Sequence, residues 1–500
     1  MNPVRRGAGS AALIVCALVS LSAAPGDVRV LDAVKRGDVT GLQRLVALKA
    51  DVNAADPDGT TALHWAVRDN RVEMVRALLR AGADATAANR YGVTALRLAA
   101  ENGNTAALGL LLEAGANVNA ASGEGETVLM TAARTGRADA LALLIDRGAD
   151  VNAHESWQGE TALMWAAGEN HAEAVTLLLA RGADINAGST PLEFPKVKVD
   201  FATMVFIAMP RGGMTALMFA AREGALEAAR ALTTAGAALD AVDPDGTTAL
   251  VIAIINAHYD VASLLIEKGA NPNLGDTAGM AALYAAVDML HQEPLINRPL
   301  PKPSGRLGPM DVIRQLLAHG ADPNGRLKAP LLMRQHNNGD ASLGDGATPL
   351  MRAAKVSDVP LMRLLLEKGA DPNARMKNQT TALMVAAARA GRGAPAASVA
   401  IEAMALCLDH GADINAANDS GQTALHVAVG RGDDLVRFLA GRGAQLDLKD
   451  KFGRTPLDVA LGVAGAPGRG GQPAAPAPVH ESAAALLRQL QAASARPHNP

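Results

Sequence analysis

A short motif recurs at a near-constant interval through most of this chain, and such a period restricts the fold more than any single residue does. Thr-Ala-Leu begins at Thr61, Thr94, Thr161, Thr215, Thr248, Thr381 and Thr423. The motif reads Thr-Val-Leu at Thr127, Ala-Ala-Leu at Ala281, and Thr-Pro-Leu at Thr348 and Thr455. Successive starts lie 33, 33, 34, 54, 33, 33, 67, 33, 42 and 32 residues apart. A 33-residue repeat is thereby defined, with three places where extra residues enter. A second marker, Gly-Ala followed by Asp or Asn, stands at Gly82, Gly115, Gly148, Gly182, Gly269, Gly320, Gly369 and Gly411, with weaker versions at Gly236 and Gly443.

Within one period the residues dictate two short helices. In "TALMWAAGENHAEAVTLLLARGADINA", Thr161 is a good N-cap for an Ala-rich helix. That helix ends near Asn170, as its siblings end near Asn70, Gly103, Gly136, Gly224 and Gly432; Gly and Asn tolerate the left-handed conformation that stops a helix. A second helix follows, apolar at Val175, Leu178 and Leu179, and both leucines are expected between adjacent second helices. The marker then leads into a tight turn, as in "DPDG" at Asp56–Gly59 and Asp243–Gly246. Neither helix persists alone, so each must bury its apolar face against the next repeat.

The elements "DGTTALHWAV", "VEMVRALLRAGAD" and "DSGQTALHVAVGRGD" resemble the ankyrin repeat, over nearly the whole chain after its first residues. The resemblance implies an all-α ankyrin-repeat solenoid of about twelve helix-turn-helix repeats, with β-turn finger loops. It also places the histidines: His64 and His426 lie in the motif itself, where the family hydrogen-bonds within and between repeats. His171 and His258 fill the slot after the inter-helix turn. His171 and Glu173 are therefore read as scaffold.

The expected organisation is a signal peptide at 1–26, an N-terminal capping repeat at 27–55, and the solenoid at 56–462. Insertions are placed at 188–213, 290–309, 325–347 and 391–399. A Pro/Ala/Gly linker at 463–480 and a C-terminal capping helix with a tail at 481–500 complete the chain. Arg5 and Arg6, the apolar run Ala11–Leu21 and the small residues after it have a signal-peptide layout, and that run is too short to cross a membrane. Periplasmic or secreted location is expected, with no stable membrane span after cleavage. Cys407 is then the only cysteine left, so packing and not a disulfide must hold the fold. Apolar residues make up 49% but aromatics only 2%, which suits closely packed helices. The formal net charge of −3 argues against a nucleic-acid partner.

No phosphate-binding GxxxxGK, HExxH, GxSxG or paired CxxC occurs, so neither an enzyme nor a cofactor is implied. Cys407 takes a position that is leucine in sibling repeats, which favours burial over nucleophilicity. Met130, Met164, Met218, Met351 and Met384 occupy the fourth motif place. A copper-binding sulfur ladder is conceivable there. Packing is favoured, because successive methionines are spaced by roughly 10 Å, the distance between packed helices.

By resemblance, arrays of this kind bind proteins through the exposed face of the inner helices and the turn tips. Carried onto this chain, the inner-helix positions are Arg68, Asp69, Glu101, Arg134, Glu169, Arg222, Glu223, Asp288, Lys355, Arg389 and Arg431. The tips offer Arg90, Tyr91, Trp157, Gln158, Lys451 and Phe452. A further partner site is expected on the first insertion, which holds Phe194, Phe201 and Phe206. Val197, Val199 and Phe201 alternate with Lys198 and Asp200 as in a half-buried strand. This segment either folds back as a hairpin over its own repeats or presents Phe206, Ile207 and Met209 as an exposed anchor. The function expected is a monomeric, non-enzymatic scaffold for an unidentified protein partner. An accessory or chaperone-like factor for an exported enzyme, and a hydrolase or metal-dependent enzyme using an insertion loop, are the alternatives.

Overall fold

The structure, a computed structural model, describes residues 28–192, 200–201, 204–205, 212–291, 300–329, 343–388, 396–465 and 478–494. The signal segment, Phe194, Phe206, Ile207, Met209 and Arg389 lie outside them, and only the backbone of Phe201 is described. The described residues form twelve helix pairs, from Arg29–Arg36 with Val39–Ala47 to Pro456–Ala460 with Glu481–Ser494. Two compact bodies divide them, within Met1–Val118 and Asn119–Pro500. Inside each body, inner helices pack on inner helices and outer on outer, which is the solenoid arrangement.

The motif threonine opens the inner helix as its spacing requires. Thr161 Oγ1 accepts the Met164 N–H at 3.4 Å, and Thr248 does the same for Val251 at 3.3 Å. Such a cap contributes about 1 kcal/mol per helix. The motif leucine beside it is buried in every repeat but the last, as at Leu63, Leu163, Leu250 and Leu383, and Leu457 is half-buried. Asn70 and Asn170 end their inner helices at φ 54° and 59°. In the outer helix Ala172–Ala180, Ala174, Val175 and Leu178 are buried. Leu179, expected beside Leu178, is only half-buried. It follows Leu178 by about 100° around the helix and falls at the rim of the apolar stripe.

An asparagine ladder ties one repeat's turn to the next. Asn119 donates to the Gly148 carbonyl at 3.1 Å and accepts the Asp150 N–H at 2.9 Å. Asn152 repeats this with Gly182 and Asp184, Asn324 with Gly369 and Asp371, and Asn373 with Gly411 and Asp413. The rung from Asn273 to Gly320 and Asp322 forms although an insertion separates them. Extra residues therefore leave the stack in register.

The insertions also have built necks. Gly188 pairs with Thr215, and Ser189 and Gly213 close the base of the first through 3.0 Å backbone bonds. Within it Asp200–Phe201 pairs antiparallel with Met204–Val205. The second insertion occupies 291–308, because Leu290 and Pro309 belong to helices. Its end is anchored on the preceding repeat: Ser304 meets His258 at 2.8 Å, and Asp260 accepts the Arg306 and Leu307 N–H groups. The helix Ala397–Asp409 starts inside the stretch read as the last insertion.

Candidate protein-interaction surface

The histidines are structural. Nε2 of His64 donates to the Val93 carbonyl at 2.9 Å, so Nδ1 is the bare nitrogen and accepts from the Thr61 N–H at 3.2 Å and hydroxyl at 2.8 Å. His426 does the same with Arg454 and Thr423. Burial pushes both imidazoles below their usual pKa, against the pull of those carbonyls. Nε2 of His171 donates to the Arg134 carbonyl at 3.0 Å, and His258 reaches Arg222 equivalently at 2.9 Å. Gly136 makes room for the His171 ring: a Cβ there would lie 2.5 Å from Nδ1. The methionines of the fourth place are all buried, and Met130 sulfur accepts the Thr127 N–H at 3.4 Å. Cys407 is buried, which pushes its thiol up to about 12.

In the first body, the inner-helix face centres on Trp65, the fifth residue from the motif start. Its indole N–H donates to Asp56 at 2.9 Å, and Lys35 holds that carboxylate at 2.7 Å. The Arg68 guanidinium lies 3.6 Å from the ring centroid, a cation–π contact, and pairs with Asp69 at 3.2 Å. Arg71 takes the other Asp69 oxygen at 3.1 Å. Arg68 and Asp69 are thus brought into one network, whereas Glu101 stands exposed in another repeat. Tyr91 is 64% exposed on its turn, bonded through its hydroxyl to Arg90.

In the second body, Trp165 holds the equivalent place, with the exposed Arg134 5.5 Å from its ring. Its indole N–H is buried and makes no hydrogen bond. The Glu160 carboxyl beside it is pushed up by burial, lowered by Arg222, raised by Glu155 and lowered by the indole. The Glu160 carboxyl therefore stands within side-chain hydrogen-bonding reach of the indole, without the alignment of a good bond. Arg222 and Glu223 are exposed and paired at 2.7 Å, and Arg222 lies 4.6 Å from the Phe219 ring. Glu169 is exposed and Lys355 half-buried.

One residue expected on the surface, Asp288, is buried in the frame, and another, Arg431, is half-buried and bonded across repeats. Asp288 is buried and pairs with Arg352 at 2.7 Å; Arg352 also donates to the His291 carbonyl at 2.8 Å. A charge so far from water is held only with such partners. His291 Nε2 in turn stands 3.1 Å from Asp358, and that contact is the largest of the causes lowering the Asp358 carboxyl. Arg431 donates at 2.8 Å to both the Ala386 and Ala388 carbonyls, tying two repeats together.

The tip that carries Trp157 has its own construction. Here the motif interval is 34 residues, and Glu155 replaces the Asp or Asn that opens most sibling turns. Its buried carboxylate accepts the N–H groups of Trp157 and Gln158 at 2.6 Å and of Glu160 at 2.9 Å. One extra methylene thereby spans one extra residue, and Trp157 is left 70% exposed. Gln158 gives its carbonyl to Thr190 at the insertion neck. Phe452, 44% exposed, lies 5.5 Å from Arg454, with Lys451 exposed beside it. Trp65, Trp165 and Arg352 form a set that residue patterns alone did not bring together, although their shared offset of four from the motif start was the available signal. A cleft of about 320 Å³ on the outer helices, lined by Arg230, Asp260, Glu267 and Arg306, has no such signal in the sequence.

A family model described as ankyrin repeats in three copies matches residues 30–122, 117–189, 202–293 and 305–396. A second, ankyrin repeats in many copies, matches 408–460. The chain belongs to the ankyrin-repeat family. Among solved structures it is similar to the human ASB11 ankyrin repeat domain, at 24% identity and TM-score 0.40, over 49% of this chain and 98% of that one. No curated protein sequence matches it. Among the described residues, no helix is long and apolar enough to cross a membrane, and no cluster of three or more His, Cys, Asp or Glu stands ready for a metal.

Proposed function

We propose that this chain is an exported, non-enzymatic scaffold that binds a protein partner through its inner-helix faces and turn tips. Ankyrin-repeat membership supports the protein-binding part. The observation that carries the tips is the contrast between a constant frame and varied exposed residues. The third turn position holds Tyr91, Glu124, Trp157, Ser420 or Phe452 on exposed turns, over a frame of repeated leucines. Exposed aromatics on rigid turns are suited to anchor a partner. Export rests on Arg5, Arg6 and the apolar run that follows.

Affinity capture from the native extracytoplasmic fraction tests the reading, with Tyr91→Ala and Trp157→Ala as comparators. A partner retained by the native chain and lost from either variant supports it. Recovery of an intact Met1 form from the cytoplasm would sink the export part. A broad hydrolase screen with metal analysis of the same preparation tests the absence of catalysis. Replacing residues 190–211 by a short Gly/Ser turn should preserve helicity, since the neck at Gly188 and Thr215 closes below it, and weaken partner binding.

A further inference from the structure

We infer that turn fingers near the end of the array form a basic row for an extended acidic segment of the partner protein, with a carboxylate at about every third residue. The inference rests on the protein-binding reading above and names the chemistry of one surface within it.

The row comes from a register that the fingers share. Arg326 and Lys328, Arg375 and Lys377, and Lys449 and Lys451 each flank the residue that opens a turn. That central residue is buried in each case, as Leu327, Met376 and Asp450, whereas the cations around it are exposed. Successive residues of an extended segment point to opposite sides, so each basic pair projects outward together. The earlier fingers of the same body, from Ala121 and Gly123 to Gly275 and Thr277, hold no lysine or arginine at these two places. The row is a local feature of a chain whose formal net charge is −3.

Hydrogen bonds fix the fingers beside one another. Arg326 Nη1 donates to the Arg375 carbonyl at 3.4 Å. The Asp419 N–H donates to the Asn378 carbonyl and the Lys451 N–H to the Ser420 carbonyl, both at 2.9 Å. Neighbouring fingers are thus one repeat apart, roughly 10 Å. A polyproline II segment advances about 9 Å per three-residue turn, so every third side chain meets a new finger. Carboxylates interrupt the row: Asp419 and Asp447 are exposed, and Asp345 pairs with Lys377 at 3.2 Å in a solvated contact that contributes little. Such interruptions favour discrete carboxylates over the continuous charge of a nucleic acid or an anionic membrane.

The probe is a fluorescent Asp-Pro-Pro repeat of about 15 residues, titrated into the full chain beside Asn-Pro-Pro and Lys-Pro-Pro repeats. Only the acidic peptide is expected to bind, and more weakly as salt rises. Arg375→Gln, Lys377→Gln, Lys449→Gln and Lys451→Gln combined should weaken it about tenfold and leave Tm unchanged. A control that removes the same charge from exposed outer-helix positions, Arg137→Gln, Lys268→Gln, Lys368→Gln and Arg437→Gln, should leave binding within about twofold. Equal losses in the two variants, or no loss in the first, overturn the inference. So does an acidic peptide that binds no better than its neutral counterpart, a comparison that needs no variant. Tighter binding of oligothymidylate or phosphatidylglycerol vesicles than of the peptide overturns it in favour of a different polyanion. None of these failures decides the protein-binding reading, which the capture experiment with Tyr91→Ala and Trp157→Ala tests on other fingers.

Discussion

In the Thr61 repeat the motif continues with His64 and Trp65; in the Thr161 repeat it continues with Met164 and Trp165. His64 joins its own threonine to the Val93 carbonyl of the following repeat, while Met164 fills the same buried place by packing. The Trp65 N–H bonds to Asp56, whereas the Trp165 N–H makes no well-aligned hydrogen bond and has the Glu160 carboxyl beside it. The two repeats teach that the frame is indifferent to how this slot is filled, provided that volume is kept. Their polar groups differ in a second respect: the first indole has a well-aligned acceptor and the second does not.

A third solution at the same offset offers the largest test. Arg352 replaces the tryptophan and is closed by Asp288 inside the fold. Arg352→Ala should cost about 3–5 kcal/mol in denaturant unfolding, because it takes the guanidinium away from a buried carboxylate. The double variant Asp288→Leu with Arg352→Met should recover most of that loss. Next comes the frame itself. Leu78 and Leu178 hold the same fully buried place in their outer helices, so each truncation to alanine should cost about 2–5 kcal/mol. A large inequality between them would break the premise that the frames are equivalent. Leu179→Ala should cost less than half as much as Leu178→Ala.

The polar contrast is smaller. Trp65→Phe should cost about 1 kcal/mol, whereas Trp165→Phe should leave stability within about 0.5 kcal/mol, since no bond is lost. Equal losses would erase the distinction between the two repeats. Acid provides the finest comparison. His64 titrates below its unfolded value, so the folded state favours the neutral ring. Its stability contribution is complete above an unfolded pKa of about 6.5 and declines as pH falls through that value toward the lower native one. Protonated Nδ1 would point a second N–H at the Thr61 N–H. Hydrogen-exchange protection factors of the Thr61 repeat, corrected for the intrinsic rate, should therefore fall between neutral and mildly acidic pH, and His64→Met should abolish that change.

Most of this frame was legible because it repeats. The threonine interval places the helix starts, Gly and Asn place their ends, and the two kinds of histidine fall where the family resemblance puts them. What stayed hidden depends on residues far apart in sequence or on side-chain direction. Asp288 looks like a solvated charge until Arg352, beyond an insertion, is brought opposite it. Arg431 likewise reads as a surface cation, but its partners are two carbonyls of another repeat, which no residue pattern records. Glu155 turns its carboxylate into its own loop, and only the 34-residue interval hinted at that loop.

The asparagine ladder makes the array editable. Each rung needs only the next repeat's glycine carbonyl and backbone N–H, so its partners are interchangeable. Excising residues 120–152 would remove one 33-residue repeat and set Asn119 in the place of Asn152. It would then face Gly182 and Asp184, the groups that Asn152 now holds at 3.0 and 2.8 Å. Across the rungs from Asn119 and Asn152, one period can be lost or duplicated with the turn contacts kept, because the partners are the same backbone groups in each repeat.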